Sequence, residues 1–185
     1  MSNKRRTAAG TPKIQVADCV YNAGEILKLI RQMETEGAKI MAFPELCITA
    51  YTCGDLFWQE NLLEEAKVQL VRIAEETKEV DALIVVGLPL EYNGKLYNVA
   101  AALNKGEIIG IVPKTHIPNY NEFYEARYFT PGKEEAVGVD IAPAYHVPMG
   151  SHILFQCDDV LPELVIGVEI CEDVWTPNPP HISVG

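Results

Sequence analysis

Apolar and polar positions alternate in two ways along this chain, and the change between them divides it. In "YNAGEILKLIRQMETEG", Ile26, Leu29, Ile30 and Met33 follow the i, i+3, i+4, i+7 spacing of a helix with one buried stripe. Asn22 can cap its start, with Glu25 three residues on as a capping-box acid, and Gly37 suits its C-terminal stop. The apolar run "KIMAF" reads as a short strand ended by Pro44. A second helix is expected over Asn61 to Glu79, with Leu62, Leu63, Ala66, Leu70 and Ile73 on one face. "ALIVVG" reads as a buried strand from its β-branched content.

From Leu88 the period changes. "LEYNGKLYNVAAALNKGEIIGIVPK" sets an Asn-Gly turn and an Asn-Lys-Gly turn between apolar runs, which predicts a β-meander. Residues Thr115 to Gly132 are aromatic, polar and rich in turn formers, and read as a long structured loop. "SHILFQC" and "LVIGVEI" close the pattern as two more strands. Early helices, buried strands between them and later hairpins predict an α/β protein with helices layered on mixed sheets. No internal repeat or low-complexity segment interrupts this order.

Composition bounds the picture without changing it. A length of 185 residues fits a single domain, 1–185, and a chain of this size buries roughly 70% of its unfolded surface. The net charge is -11, from 26 acids against 15 lysines and arginines, which argues against a nucleic-acid partner. The one basic run, Lys4-Arg5-Arg6, reads as a solvated N-terminal tail. No apolar segment follows it as a secretory signal would require, and no stretch approaches the roughly 18 apolar residues of a membrane helix. Five cysteines without a C-x-x-C pair indicate free thiols in a reducing, cytoplasmic setting.

Chemistry enters at "IGVEICEDVWTP". Cys171 lies among Glu169, Glu172 and Asp173, and nearby negative charge makes a thiol harder to ionise. Either Cys171 is an inert core cysteine beside a solvated acidic turn, or other segments supply a cation and a base. Two segments share its strand-into-loop character. "MAFPELCITAYTCGDLF" puts Glu45 at the end of a strand, and "IIGIVPKTHIPNYNEFYEARYF" puts Lys114 at the end of another.

Strand ends are where α/β folds collect functional side chains. Lys114 near Cys171 would favour thiolate, and Glu45 could take the thiol proton and later deliver it to a leaving amine. Lys114 and the backbone N–H of Glu172 could hold a developing oxyanion. The parts suffice for acyl transfer from an amide through a thioester, with no metal or nucleotide. The bland alternatives are a loop acid at Glu45 and a surface lysine at 114. His116, His146, His152 and His181 lack ligand spacing, and the glycines form no phosphate-binding motif.

At these three segments the chain resembles the nitrilase, or carbon–nitrogen hydrolase, superfamily, whose mark is a Glu-Lys-Cys triad in this order. "TPKIQVADCVYN", "FPELCITAYTCGDLF", "KTHIPNYNEFYEARYF" and "GVEICEDVWTP" look like the N-terminal glutaminase domain of the bacterial glutamine-dependent NAD synthetases. "TCGDLF" and "ICEDVW" are far more specific than the triad, and the likeness runs from about Thr7 to the end. It implies a four-layer α-β-β-α sandwich that splits L-glutamine into glutamate and ammonia.

The resemblance makes Glu45 the general base, Lys114 the catalytic lysine and Cys171 the nucleophile, with Glu122 as the second glutamate that positions Lys114. It makes Tyr120 a glutamine contact and puts Glu172 and Trp175 where the substrate's ammonium is held. It implies no cofactor in this domain. In the parent enzymes a C-terminal synthetase domain uses ATP, Mg and the ammonia to amidate deamido-NAD, and nitrilase domains commonly form homo-oligomers. Another amidase or carbamoylase of the superfamily is the alternative, as is a non-catalytic, self-associating fragment.

Three departures stand out. "SNKRRTAAG" is polar where an apolar first strand is usual and is not expected to pair. Ala50 replaces a common glycine, which strains the chain if that position needs positive φ. "TPNPPHISVG" still reads as a loop where the chain stops, so a domain truncated after its nucleophile loop is expected.

Overall fold

The first helix begins one turn earlier than its capping signals suggest. Its apolar stripe runs back through Cys19 and Ala23, so α1 spans Cys19–Thr35, and the Asp18 carboxylate accepts from the Tyr21 N–H as its cap. Asn22, expected as the cap, is buried inside the helix. Its side chain donates to the Gln15 and Ile48 carbonyls and accepts from the Gln15 N–H. Gly37 does end the helix, with φ 78°. The computed structural model describes residues 6–158 and 161–184, so Lys4 and Arg5 of the basic run lie outside the described residues.

The strands β1 (Arg6–Ala9), β2 (Ala38–Ala42), β3 (Leu83–Tyr92), β4 (Lys95–Asn104), β5 (Glu107–Pro113), β6 (Val137–Ile141) and β7 (Ala144–Met149) form one sheet. Its spatial order is β1-β2-β3-β4-β5-β7-β6. The polar first segment therefore does pair: Thr7 to Ala9 run parallel to Ile40 to Ala42. Backbone hydrogen bonds drive this edge, and the Arg6 guanidinium adds a bond to the Glu36 carbonyl. The meander β3–β4–β5 is as expected, with Asn93-Gly94 and Lys105-Gly106 at positive φ in its two turns. The β6–β7 hairpin was not foreseen.

β3 and β4 read as continuous apolar runs because both their faces are covered. Ile84, Val86, Leu88, Val99, Ala101 and Leu103 face α1 and α2 (Glu60–Glu76) in the main core. Val85 and Ala100 pack with Ile170, and Ala102 with Phe155, on the opposite face. Phe155 belongs to β8 (Leu154–Gln156), which pairs antiparallel with β9 (Val165–Gly167) as a separate two-stranded sheet. The described residues thus stack helices, large sheet and small sheet in that order, an α/β arrangement of the nitrilase-like sandwich type. Truncating fully buried Ile30 or Leu70 to alanine would cost about 2–5 kcal/mol. This second sheet carries the strand that leads to Cys171.

Candidate active site

Glu45 leaves the end of β2 by a turn that lies over β3. The Phe43 N–H donates to the Val85 carbonyl at 2.9 Å and the Ile48 N–H to the Gly87 carbonyl at 3.1 Å. A Cβ on Gly87 would stand 2.4 Å from the Leu46 nitrogen and 2.7 Å from the Pro44 carbonyl. Glycine is what lets the Glu45 turn come this close. Ala50, at the end of the same turn, has φ 75° and ψ 154°, a region that is essentially glycine's alone. The strain anticipated there is present.

Lys114 follows Pro113 at the end of β5. Its N–H donates to the Asn98 carbonyl at 2.8 Å, and its own carbonyl accepts from Gly132 at 2.7 Å. The side chain is fully buried, yet its ammonium donates to Glu45 Oε1 at 2.7 Å and to both oxygens of Glu125 at 2.8 and 2.9 Å. Burial works against the charge, but the bonds to Glu125 and Glu45 outweigh it and hold the ammonium pKa above its ordinary value. Asn98, buried on β4, also donates to Glu45 Oε1 through its side-chain amide.

The partner of Lys114 is thus Glu125 rather than Glu122. Glu122 is exposed, whereas Glu125 is buried at the start of a single turn of 3₁₀ helix, Glu125–Arg127. The Tyr51 hydroxyl donates to Glu125 Oε1 at 2.8 Å, and burial followed by this bond pushes its pKa up. One sequence feature points to Glu125. It lies four residues before buried Phe129, whose N–H reaches the Glu125 carbonyl at 2.8 Å, so the two share an inward face. Asn98 carried no such feature.

Cys171 opens the 3₁₀ turn Cys171–Trp175 after β9, at φ 47° and exposed. Partial desolvation of the sulfur and the Glu45 charge raise its pKa; Lys114 opposes them without cancelling them, and Glu125 and a hydrogen bond with Glu45 raise it further. The acid, the amine and the thiol do converge. Lys114 favours thiolate, as anticipated, but the balance keeps the resting thiol protonated. Glu45 is the carboxylate beside it.

Asp173 joins this turn to the lysine strand. Its buried carboxylate accepts from the Thr115 N–H at 3.0 Å, the His116 N–H at 2.7 Å and the Ile170 N–H at 3.3 Å. Tyr120 donates to Glu172 at 2.9 Å, and that bond raises the phenol's pKa. These two residues meet at the rim, while Trp175 stands 78% exposed. Cys19, Cys47, Cys53 and Cys171 are free thiols. Among the described residues no group of His, Cys, Asp and Glu could hold a metal, and no helix is long and apolar enough to cross a membrane.

A family model described as carbon-nitrogen hydrolase matches residues 6–184. The glutamine-dependent NAD(+) synthetase of Mycobacterium tuberculosis (H37Rv) is 37% identical over 95% of this chain, which covers 26% of that protein. The Aquifex aeolicus enzyme of the same name is 33% identical over 88% of the chain and 25% of its own length. The chain thus spans about a quarter of these curated relatives, matching their N-terminal part. The crystal structure of such a synthetase from Cytophaga hutchinsonii superposes with a TM-score of 0.80 at 28% identity, over 89% of this chain and 27% of that one. An amidase from a Nesterenkonia species superposes with a TM-score of 0.58 at 19% identity, over 71% and 49%, which supports the fold alone.

Proposed function

Because the chain belongs to the carbon–nitrogen hydrolase family, we propose that Cys171, Glu45 and Lys114 hydrolyse the side-chain amide of L-glutamine, as the glutaminase part of a glutamine-dependent NAD synthetase. The observation that carries this reading is the buried ammonium of Lys114 held between Glu45 and Glu125, with the Cys171 thiol beside Glu45. Glu45 accepts the Cys171 proton as sulfur attacks the amide carbon. Lys114 and the Glu172 N–H stabilise the oxygen that gains charge, and removing one such donor typically costs about 3–4 kcal/mol of barrier.

Glu45 then returns the proton to the leaving nitrogen, which departs as ammonia and leaves a thioester. Water attacks the thioester, Glu45 again takes a proton, and glutamate leaves with the thiol restored. Glu125, anchored by Tyr51, replaces Glu122 as the residue that orients Lys114. Two carboxylates against one ammonium, with Glu172 at the rim, leave the site negative. That suits the α-ammonium of a free amino acid, with Tyr120, Glu172 and Trp175 as its contacts. ATP, Mg and deamido-NAD belong to the amidation step that we assign to the remaining length of such a synthetase, and a cytoplasmic, oligomeric enzyme is part of the same proposal.

The test is ammonia release from glutamine together with labelling by an electrophilic glutamine analogue. Labelling confined to Cys171 and turnover abolished by Cys171→Ala are the expected results. Labelling at another cysteine would overturn the role assignment. A preference for simple amides would move the reading to an amidase or carbamoylase.

A further inference from the structure

The two oxygens of the Glu45 carboxylate have unequal surroundings. Oε1 accepts from the Lys114 ammonium at 2.7 Å and from the Asn98 side-chain nitrogen at 2.5 Å. Oε2 accepts from no nitrogen among the described residues. Asn98 is 1% exposed on β4, and its Oδ1 has no hydrogen-bond partner. Leaving a buried amide oxygen unmatched typically costs about 1–3 kcal/mol, so the bond its nitrogen makes calls for an explanation. The amide cannot turn over to satisfy that oxygen, because an ionised carboxylate only accepts.

The backbone of Asn98 faces the same machinery. Its carbonyl accepts from the Lys114 N–H at 2.8 Å. One residue therefore sets the height of the lysine on its strand and the roll of the carboxylate beneath it. If Oε1 is occupied by two donors, only Oε2 is free to take a proton. A carboxylate free to rotate would offer either oxygen, and protonating Oε1 would displace the Lys114 or Asn98 donor bonded there.

We propose that Asn98 is a positioning residue which, with Lys114, saturates Glu45 Oε1 and so makes Oε2 the oxygen that takes the Cys171 proton and returns it to the leaving nitrogen. This rests on the glutaminase reading for its substrate, but not for its first readout. The Cys171 S–H bond breaks as the Oε2–H bond forms. That bond breaks in turn when the departing nitrogen is protonated, so the carboxylate ends as it began.

The experiment compares wild type, Asn98→Asp, Asn98→Ala and Asn98→Ser. Two rates are followed across about pH 5–9: alkylation of Cys171 by 2-chloroacetamide, and glutamine turnover. An aspartate at this position can donate to Glu45 only while protonated. Asn98→Asp is therefore expected to lose about 100-fold in both alkylation and kcat at the alkaline end and to recover much of it at the acid end, with KM within about twofold. Asn98→Ala falls by about tenfold or more throughout and does not recover.

A folded Asn98→Asp with the wild-type pH profile would overturn the proposal, as would a loss confined to KM. A purely structural role would lower the melting temperature without an acid-side recovery. If Asn98→Asp does not fold, Asn98→Ser decides: its hydroxyl can still donate, so it should exceed Asn98→Ala by about fivefold, and a ratio near one counts against the idea. Should wild type alkylate at Cys171 but release no ammonia from glutamine, the substrate reading fails while the alkylation series still judges Asn98.

Discussion

The acid–lysine side of the site and the cysteine side are built on different terms. Glu45, Lys114, Glu125 and Asn98 are rooted on the large sheet or bonded to it; Lys114, Glu125 and Asn98 are buried, Glu45 partly so, and their polar groups are interlinked by hydrogen bonds. Cys171 is exposed at φ 47° on a five-residue turn leading from a two-stranded sheet. One side holds charge that water could not be allowed to reorganise. The other presents an atom that must move toward a substrate. Preorganised dipoles belong where charge develops, and they cost no rearrangement at the moment of reaction. The nucleophile needs freedom of approach, and a single buried carboxylate, Asp173, keeps it in register with the lysine.

The sharpest way to break this contrast is to remove the shared cation. Lys114→Met would leave Glu45 and Glu125 facing each other in a buried space. A loss of about 3–5 kcal/mol is expected in urea unfolding at neutral pH, whereas Cys171→Ala should stay within about 0.5 kcal/mol of wild type. Both variants should be inactive. Lys114→Glu would be worse still. If Cys171→Ala proved as destabilising as Lys114→Met, the two sides would not differ as described.

The same cation gives the comparison a pH dependence. Lys114 is the group that lowers the Cys171 pKa, which burial and Glu45 raise. A raised thiol pKa keeps the proton on at neutral pH and releases it only at higher pH. Alkylation of wild type should therefore rise with pH beyond the range of an ordinary thiol, about 8.5. For Lys114→Met the rise should move further up, because the attraction for thiolate is gone. A downward move would mean that Lys114 does not act on the sulfur.

Asp173→Asn tests the tie between the regions. Its amide group would turn a donor toward at least one of the N–H groups of Thr115, His116 and Ile170. A cost of about 2 kcal/mol is expected, with turnover lost and Lys114 still buried. Retained activity would show that the turn holds its register without the carboxylate.

These contrasts were partly visible in the sequence. The meander was legible because Asn93-Gly94 and Lys105-Gly106 are turn residues with a backbone reason for their places. Glu45, Lys114 and Cys171 were legible as polar residues ending apolar runs. The second glutamate was not, since "NEFYEAR" offers two acids and only the turn at 125–127, with Phe129 inward, selects Glu125. The helix start went to Asp18 because Asn22 was needed inside, against Gln15 and Ile48. Val137, Val139 and Ile141 do alternate, but Pro143 and Pro148 hid the β6–β7 hairpin. Asn98 is an ordinary strand residue until a carboxylate 53 residues earlier in the chain is folded beneath it.

Ala50→Gly acts on the acid side alone and should help it. Alanine at φ 75° and ψ 154° holds strain that glycine does not. The gain from relief is about 1–3 kcal/mol, and the added freedom of the unfolded chain takes back about 0.5–1 kcal/mol. A net stabilisation of about 1 kcal/mol should appear as a higher urea midpoint with an unchanged slope. No gain would mean that the turn over Gly87 relaxes around the alanine.

The smallest effect belongs to the rim. Tyr120 and Glu172 bond to each other at 2.9 Å, with Tyr120 half exposed, so water replaces that bond readily. Tyr120→Phe should leave the unfolding midpoint unchanged. If Glu172 and Tyr120 receive the ammonium of glutamine, the phenol is a contact and also holds the carboxylate still, and its loss should raise KM by about threefold with kcat unaltered. A fall in kcat instead would place the phenol against the reacting amide and move the rim into the preorganised side of the site.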